Sequence, residues 1–225
     1  MTAFTLTIGF TANDLRAIHA AGESVVILRQ PAPGIEVVWA AFAPFELNTV
    51  QWTDSFSLYA TQTPREPGEI VLPVAQVPTV TPQYLYPFSA QQFGAGTLNP
   101  QLPPDQCETT NNPNNGGALG FGLAQTPRIN SVPLAFCPVS ADEVLAGQAG
   151  FFELANELTV MLRSQTQTAM VIDYVPVGAM AATVAQSAAI TLSFTAASAA
   201  QAIQYDGATG TFLREPARAR RARRG

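Results

Sequence analysis

Apolar residues recur at every second position over most of this chain. Phe4, Leu6, Ile8 and Phe10 point one way, while Thr5, Thr7 and Thr11 point the other. Val50, Trp52, Phe56 and Leu58 share a face opposed by Thr49, Gln51, Thr53, Ser55 and Ser57. Leu158, Val160 and Leu162 repeat the pattern, as do Ile190, Leu192 and Phe194 against Thr191, Ser193 and Thr195. Such alternation, with threonine on the wet side, marks strands covered on one face only. Shorter segments at 24–30, 35–42, 69–75, 84–88, 118–124, 133–137, 169–175 and 201–205 read as further strands. Tyr205 to Leu213 reads as a strand, a tight turn through Asp206-Gly207 and a short closing strand.

Two helical connectors interrupt this pattern. Residues 12–21 place Leu15 and Ile18 on one face, and Gly22 supplies a stop. Ser140-Ala-Asp-Glu143 has capping-box spacing, with Gly147 ending a turn and a half later. The expected fold is all-β, an antiparallel sandwich resembling a jelly roll, with ten to twelve strands and one or two short connecting helices. The body is expected to span residues 1–213 as one domain. Residues 90–117, rich in Pro, Asn and Gly, are expected to form a long loop that binds a partner or wraps a neighbour.

Composition sharpens this reading. The chain has 225 residues, of which 47% are hydrophobic and only 12% charged, and it contains no lysine. The charged share is about half the usual one. So few long charged side chains point to a surface covered by partners, and therefore to a homo-oligomer. No apolar run reaches the roughly 18 residues of a membrane span. The first residues alternate at once and lack a basic region, so they read as a strand rather than a signal peptide. By that reading the chain is cytoplasmic, exported by a non-classical route, or a mature form whose leader is missing.

Charge is sorted along the chain. Residues 1–213 hold five arginines against fifteen acidic groups, whereas residues 214–225 hold six arginines and one glutamate. Arg218, Arg220, Arg221, Arg223 and Arg224, with Arg214, are expected to form a disordered basic tail. Such a tail neutralises phosphates of nucleic acid or anionic lipid, or pairs with carboxylates of neighbouring copies.

Catalytic groups are sparse. His19 is the only histidine; Asp14 is near it in sequence, but no nucleophile elbow exists. Glu66, Glu69 and Asp142-Glu143 sit at turns or a helix start. Asp54 and Asp173 interrupt apolar strands and call for a partner, which Arg29 or Arg163 would supply. The glycines at 116, 117, 120 and 122 lack the lysine and helix of a phosphate loop. They suit instead a strand with one bare face, open to close approach by another backbone or ring. Cys107 and Cys137 are the only cysteines and would close a loop of about thirty residues if oxidised. With one histidine they make no standard zinc site. No catalytic residue, metal ligand or cofactor is expected.

Aromatic residues divide into two groups. Trp39, Trp52 and Phe56 fit the core. Tyr84, Tyr86 and Phe88, between a Pro-rich stretch and the long loop, fit a contact surface for sugar, membrane or protein. The sequence thus leads to a non-catalytic binding or assembly protein. It is a shell- or coat-like subunit with a basic tail for an anionic partner, or else a lectin-like or pore-forming module meeting glycans or membrane through its aromatic loop.

Overall fold

Strands cover most of the chain in the structure, a computed structural model that describes residues 1–29, 34–115, 117–174 and 189–215. Among these residues the strands form five sheets. The first runs, edge to edge, Val132–Pro133, Arg128–Ile129, Leu47–Thr53, Ala3–Gly9, Ala200–Asp206 and Thr211–Arg214. The second runs Thr97–Leu98, Tyr84–Ser89, Gln106–Asn111 and Ala149–Glu153, with Gln92–Phe93 folded back on Tyr84–Ser89. The third runs Asp142–Val144, Leu119–Ala124, Ser57–Thr61 and Pro73–Val77, and the fourth runs Ile190–Ser193, Glu157–Ser164, Glu23–Arg29 and Ala40–Phe42. Val171–Tyr174 and Gly34–Val37 pair as the fifth. The fold is all-β and sandwich-like, with antiparallel pairing nearly throughout. Two parallel neighbours break that rule, Ala3–Gly9 beside Ala200–Asp206 and Tyr84–Ser89 beside Gln106–Asn111.

The alternating residues meet in one main core. Phe4, Leu6, Ile8, Val50 and Trp52 of the first sheet pack with Val25, Ile27, Leu158, Val160 and Leu192 of the fourth. Leu58, Phe121 and Leu123 of the third sheet, and Phe88, Cys107 and Phe152 of the second, close the same core.

Residues 158–162 depart from the expected single wet face: all five are buried. The cause is the fifth sheet, which packs against the outer side of the fourth. Met161, Val26 and Leu28 meet Ile172, Tyr174 and Val38 there. The neighbouring positions Val37 and Val171 face the other way, onto Tyr59 and Ala124 of the third sheet and Ala141 just before its edge strand Asp142–Val144. Period-two alternation thus lets one small sheet fill two satellite cores.

The first helix forms at Ala12–Ala20. Thr11 and Asp14 cap it reciprocally, Ile18 is buried, and Gly22 follows at φ +65°. The second expected helix does not form. Asp142–Val144 is a strand whose residues pair with Leu119, Gly120 and Phe121. Too few residues separate Ser140 from Gly147 to repay helix nucleation, whereas the sheet edge beside them is already built.

The stretch 90–117 is not a bare loop. It carries Gln92–Phe93, Thr97–Leu98, the inner strand Gln106–Asn111 and a 3-10 turn at Pro113–Asn115. Polar side chains hold that inner strand in place. Thr109 donates to the Tyr86 carbonyl at 2.7 Å, Asn111 to the Gly117 and Val144 carbonyls, and Asn99 to Glu108 at 2.9 Å. Segment 133–137 keeps only Val132–Pro133 as strand, and 35–42 splits at Val38-Trp39. Among the described residues no helix is long and apolar enough to cross a membrane.

Candidate functional site

Arg29 ends the apolar run Val25-Val-Ile-Leu28, on a strand held between Glu157–Ser164 and Ala40–Phe42. That position carries its side chain into the core, where it is 1% exposed. Three rings surround the guanidinium. Its central carbon lies 5.0 Å from the ring centre of Trp39, 5.5 Å from Phe56 and 5.8 Å from Trp52. Such contacts favour a cation over an aromatic face. Nη2 donates to the Ala155 carbonyl and to Asn156 Oδ1, both at 2.9 Å. Among the described residues Nε and Nη1, both buried, have no acceptor, and neither has the buried indole Nε1 of Trp52. Among the described residues no carboxylate pairs with Arg29, and burial pulls its pKa down to about 9. The expected pairing of Arg29 with Asp54 or Asp173 is therefore corrected: both carboxylates are exposed. Arg163 donates to the main-chain carbonyl of Asp173, at 3.2 Å.

A cleft of about 250 Å³ opens beside this cluster. Arg29, Val139 and Phe152 form part of its wall, with Glu36, Asp142 and Glu153 around it. A second cleft, of about 150 Å³, is lined by Thr61, Gly120 and Val171. Arg65 and Asp142 border both clefts and bridge at 3.5 Å, so this ion pair partitions them. Burial raises the Asp142 pKa, and Arg65 opposes that rise. Gly122 shapes the surroundings, because its missing side chain lets the chain at Ser140 lie directly on the strand. Here the expectation of a bare glycine face holds, and the approaching backbone is the protein's own.

The aromatic contact surface is corrected. Tyr86 and Phe88 are buried, and Tyr84 is half-buried. They belong to the strand Tyr84–Ser89, where Phe88 packs on Phe93 and Phe121, and the Tyr86 hydroxyl accepts from Thr81 N at 2.8 Å. The three aromatics thus close the core instead of presenting a loop. Trp39, Trp52 and Phe56 lie in the core as expected.

Cys107 and Cys137 are separate buried thiols, so the disulfide is not formed. Each side chain is packed into the main core, and burial pushes both thiols up to about 12. His19 Nε2 lies 3.1 Å from the Pro44 carbonyl oxygen, a structural contact. Among the described residues no three His, Cys, Asp or Glu side chains are grouped to hold a metal. Arg218, Arg220, Arg221, Arg223 and Arg224 lie outside the described residues. Arg214 lies inside them, in the closing strand, and donates to the Thr191 carbonyl at 2.8 Å.

The Arg29 cluster escaped the sequence reading, although the signal was present. An arginine terminating a run of four β-branched or aliphatic residues, in a chain with two tryptophans, is poorly placed for solvent. Comparison with protein-family models, with curated proteins and with solved structures finds no match.

Proposed function

We propose that this chain is a non-catalytic assembly subunit. A sandwich-like body associates with further copies through open sheet edges, and the arginine-rich segment after Pro216 engages an anionic partner. The observation that carries this reading is the chemistry of the edge strands. Val132, Leu213, Leu98, Phe151 and Val74 are exposed large apolar residues, and each lies on an edge strand of the first, second or third sheet. Edge strands carry unpaired backbone groups, and proteins that stay apart usually blunt them with lysine, proline or a bulge. This chain has no lysine. Pro133 and Pro73 guard two of these edges, and Thr97–Leu98 is only two residues long. Ala149–Glu153 and Thr211–Arg214 remain, with Phe151 58% and Leu213 53% exposed.

Light scattering of the native protein, with and without nuclease, tests this reading. The expected result is a homo-oligomer at micromolar concentration, reduced to smaller species by Phe151→Lys or Leu213→Lys. A monomer across that range, or an oligomer indifferent to both substitutions, overturns it. Burial of Tyr86 and Phe88, with Tyr84 half-buried, favours this reading over contact with glycan or membrane through those residues.

A further inference from the structure

Arg29 presents the largest unmet hydrogen-bonding demand among the described residues. Of its five N–H bonds, the two on Nη2 are used by Ala155 and Asn156, and Nε and Nη1 have no acceptor. The three rings around it answer the positive charge of the guanidinium face, but aromatic carbons are poor acceptors for its in-plane hydrogens. Trp52 adds a further unpaired donor in the same cluster. The deficit is thus one of acceptors, beside a side chain with a fixed positive charge, and Arg29 lines a cleft of about 250 Å³. An unpaired buried cation is among the most costly features a fold can hold. A negatively charged acceptor relieves that cost more fully than a neutral one, because charge-assisted bonds are roughly twice as strong.

We propose that this cleft binds small monocarboxylates, with Arg29 recognising the carboxylate group. Its surroundings restrict the ligand. Asp142 is paired with Arg65, and Glu153 also lines the cleft. The charge of Glu153 disfavours ligands with two or more negative groups, so polyanions and nucleic acid phosphates are poor occupants. Val139 and Phe152 give the organic portion an apolar wall. The cleft shares Phe152 and Glu153 with the edge strand Ala149–Glu153 of the assembly reading, whereas the edge Thr211–Arg214 contributes nothing to it, so Leu213→Lys tests assembly without touching the cleft.

The test is a titration of the native full chain, labelled with nitrogen-15, with sodium acetate against sodium chloride at matched ionic strength. Acetate should shift one buried arginine Nε–H resonance to saturation and raise the thermal midpoint in parallel, and chloride should do neither. Arg29→Met should weaken acetate binding by roughly tenfold or more, the scale of one charge-assisted hydrogen bond. Arg29→Lys, which keeps the charge but loses the fork, should fall between the two. Inorganic phosphate and malonate should bind more weakly than acetate. If acetate and chloride act alike on the native protein, or if Arg29→Met leaves acetate binding intact, the site is overturned. Phosphate or malonate binding as well as acetate overturns the monocarboxylate assignment. Should Arg29→Met fail to fold, the native titration and Arg29→Lys decide the matter.

Discussion

A methyl group placed on Gly122 would lie 1.8 Å from the carbonyl oxygen of Ser140, so these two residues meet backbone to backbone. The same carbonyl accepts from the buried Tyr59 hydroxyl at 2.5 Å, which pins the chain against the strand. No flexible side chain is available to give way. Gly122→Ala should therefore destabilise the fold by at least about 2 kcal/mol, as overpacking against rigid neighbours does. Chemical denaturation checks this, and a loss under about half a kcal/mol would show that the segment at Ser140 slides freely.

Leu192 is fully buried opposite Leu158, in the core shared by the first and fourth sheets. Leu192→Ala should cost about 2–5 kcal/mol, combining lost burial with the cavity left behind. A negligible loss in the denaturation midpoint would contradict the register of Ile190–Ser193.

The thiols of Cys107 and Cys137 remain neutral in the fold until about pH 12, whereas an exposed thiol ionises near 8.5. Between those limits the unfolded chain binds fewer protons than the native one. Stability should thus be fully expressed below about pH 8.5 and fall above it, by about 1.4 kcal/mol per pH unit for each thiol. Arg29 has the opposite sign, since its native pKa is lowered to about 9 and the unfolded chain keeps that proton longer. Cys137→Ala removes one thiol and leaves Arg29 in place. Its stability should decline less steeply than that of the native protein between pH 9 and 11, as read by urea unfolding at each pH.

Arg65→Ala should have a small and pH-dependent effect. The arginine opposes the rise that burial imposes on the Asp142 pKa, so its removal pushes that pKa further up. The cost appears where Asp142 is ionised and vanishes below the ordinary carboxylate range. Both side chains are substantially exposed, so solvent screening limits the effect to about 1 kcal/mol or less. Equal losses at pH 3 and pH 7 would show that Arg65 matters through packing alone.

Arg214 belongs to the closing strand, so the boundary between body and basic segment falls beyond it. Deleting residues 216–225 should leave the thermal midpoint nearly unchanged and abolish binding to duplex DNA or anionic vesicles. In the intact chain that binding should weaken with salt, at a slope of about −0.9 per phosphate contact on duplex DNA. Full binding by the truncated chain, measured by fluorescence anisotropy, would place the contact on the body.

The alternating run Phe4 to Phe10 was legible because its period has one simple structural solution, whereas Val50 to Leu58 divides between Leu47–Thr53 of the first sheet and Ser57–Thr61 of the third, where all five residues are buried. Gln106–Asn111 was not legible, since its buried positions include Glu108, Thr109 and Asn111, and hydrogen bonding rather than hydropathy holds them. The turns at Ala90-Gln91 and Asn130-Ser131 were hidden for another reason. All four residues adopt positive φ without glycine, so the usual hairpin signature is missing. Arg29 was visible as a charged residue, but its missing carboxylate is a fact of tertiary packing. Nothing local distinguishes an arginine that finds an anion from one caged by Trp39, Trp52 and Phe56.

The parallel pairing of Ala3–Gly9 with Ala200–Asp206 sets a clock on biosynthesis. Thr5 donates to the Ala199 carbonyl at 2.8 Å, and Thr5 stands opposite Ala200 in the register. A ribosome adding about 5–20 residues per second delivers Leu47–Thr53 early but needs on the order of ten seconds more to reach residue 206. Throughout that interval the nascent first strand has one edge filled and the other waiting. Closure of the six-stranded sheet is then a late, non-local step, of the kind that makes folding slow. The apolar face of Phe4, Leu6 and Ile8 must be shielded by chaperones or by rapid partial collapse until its last neighbour emerges.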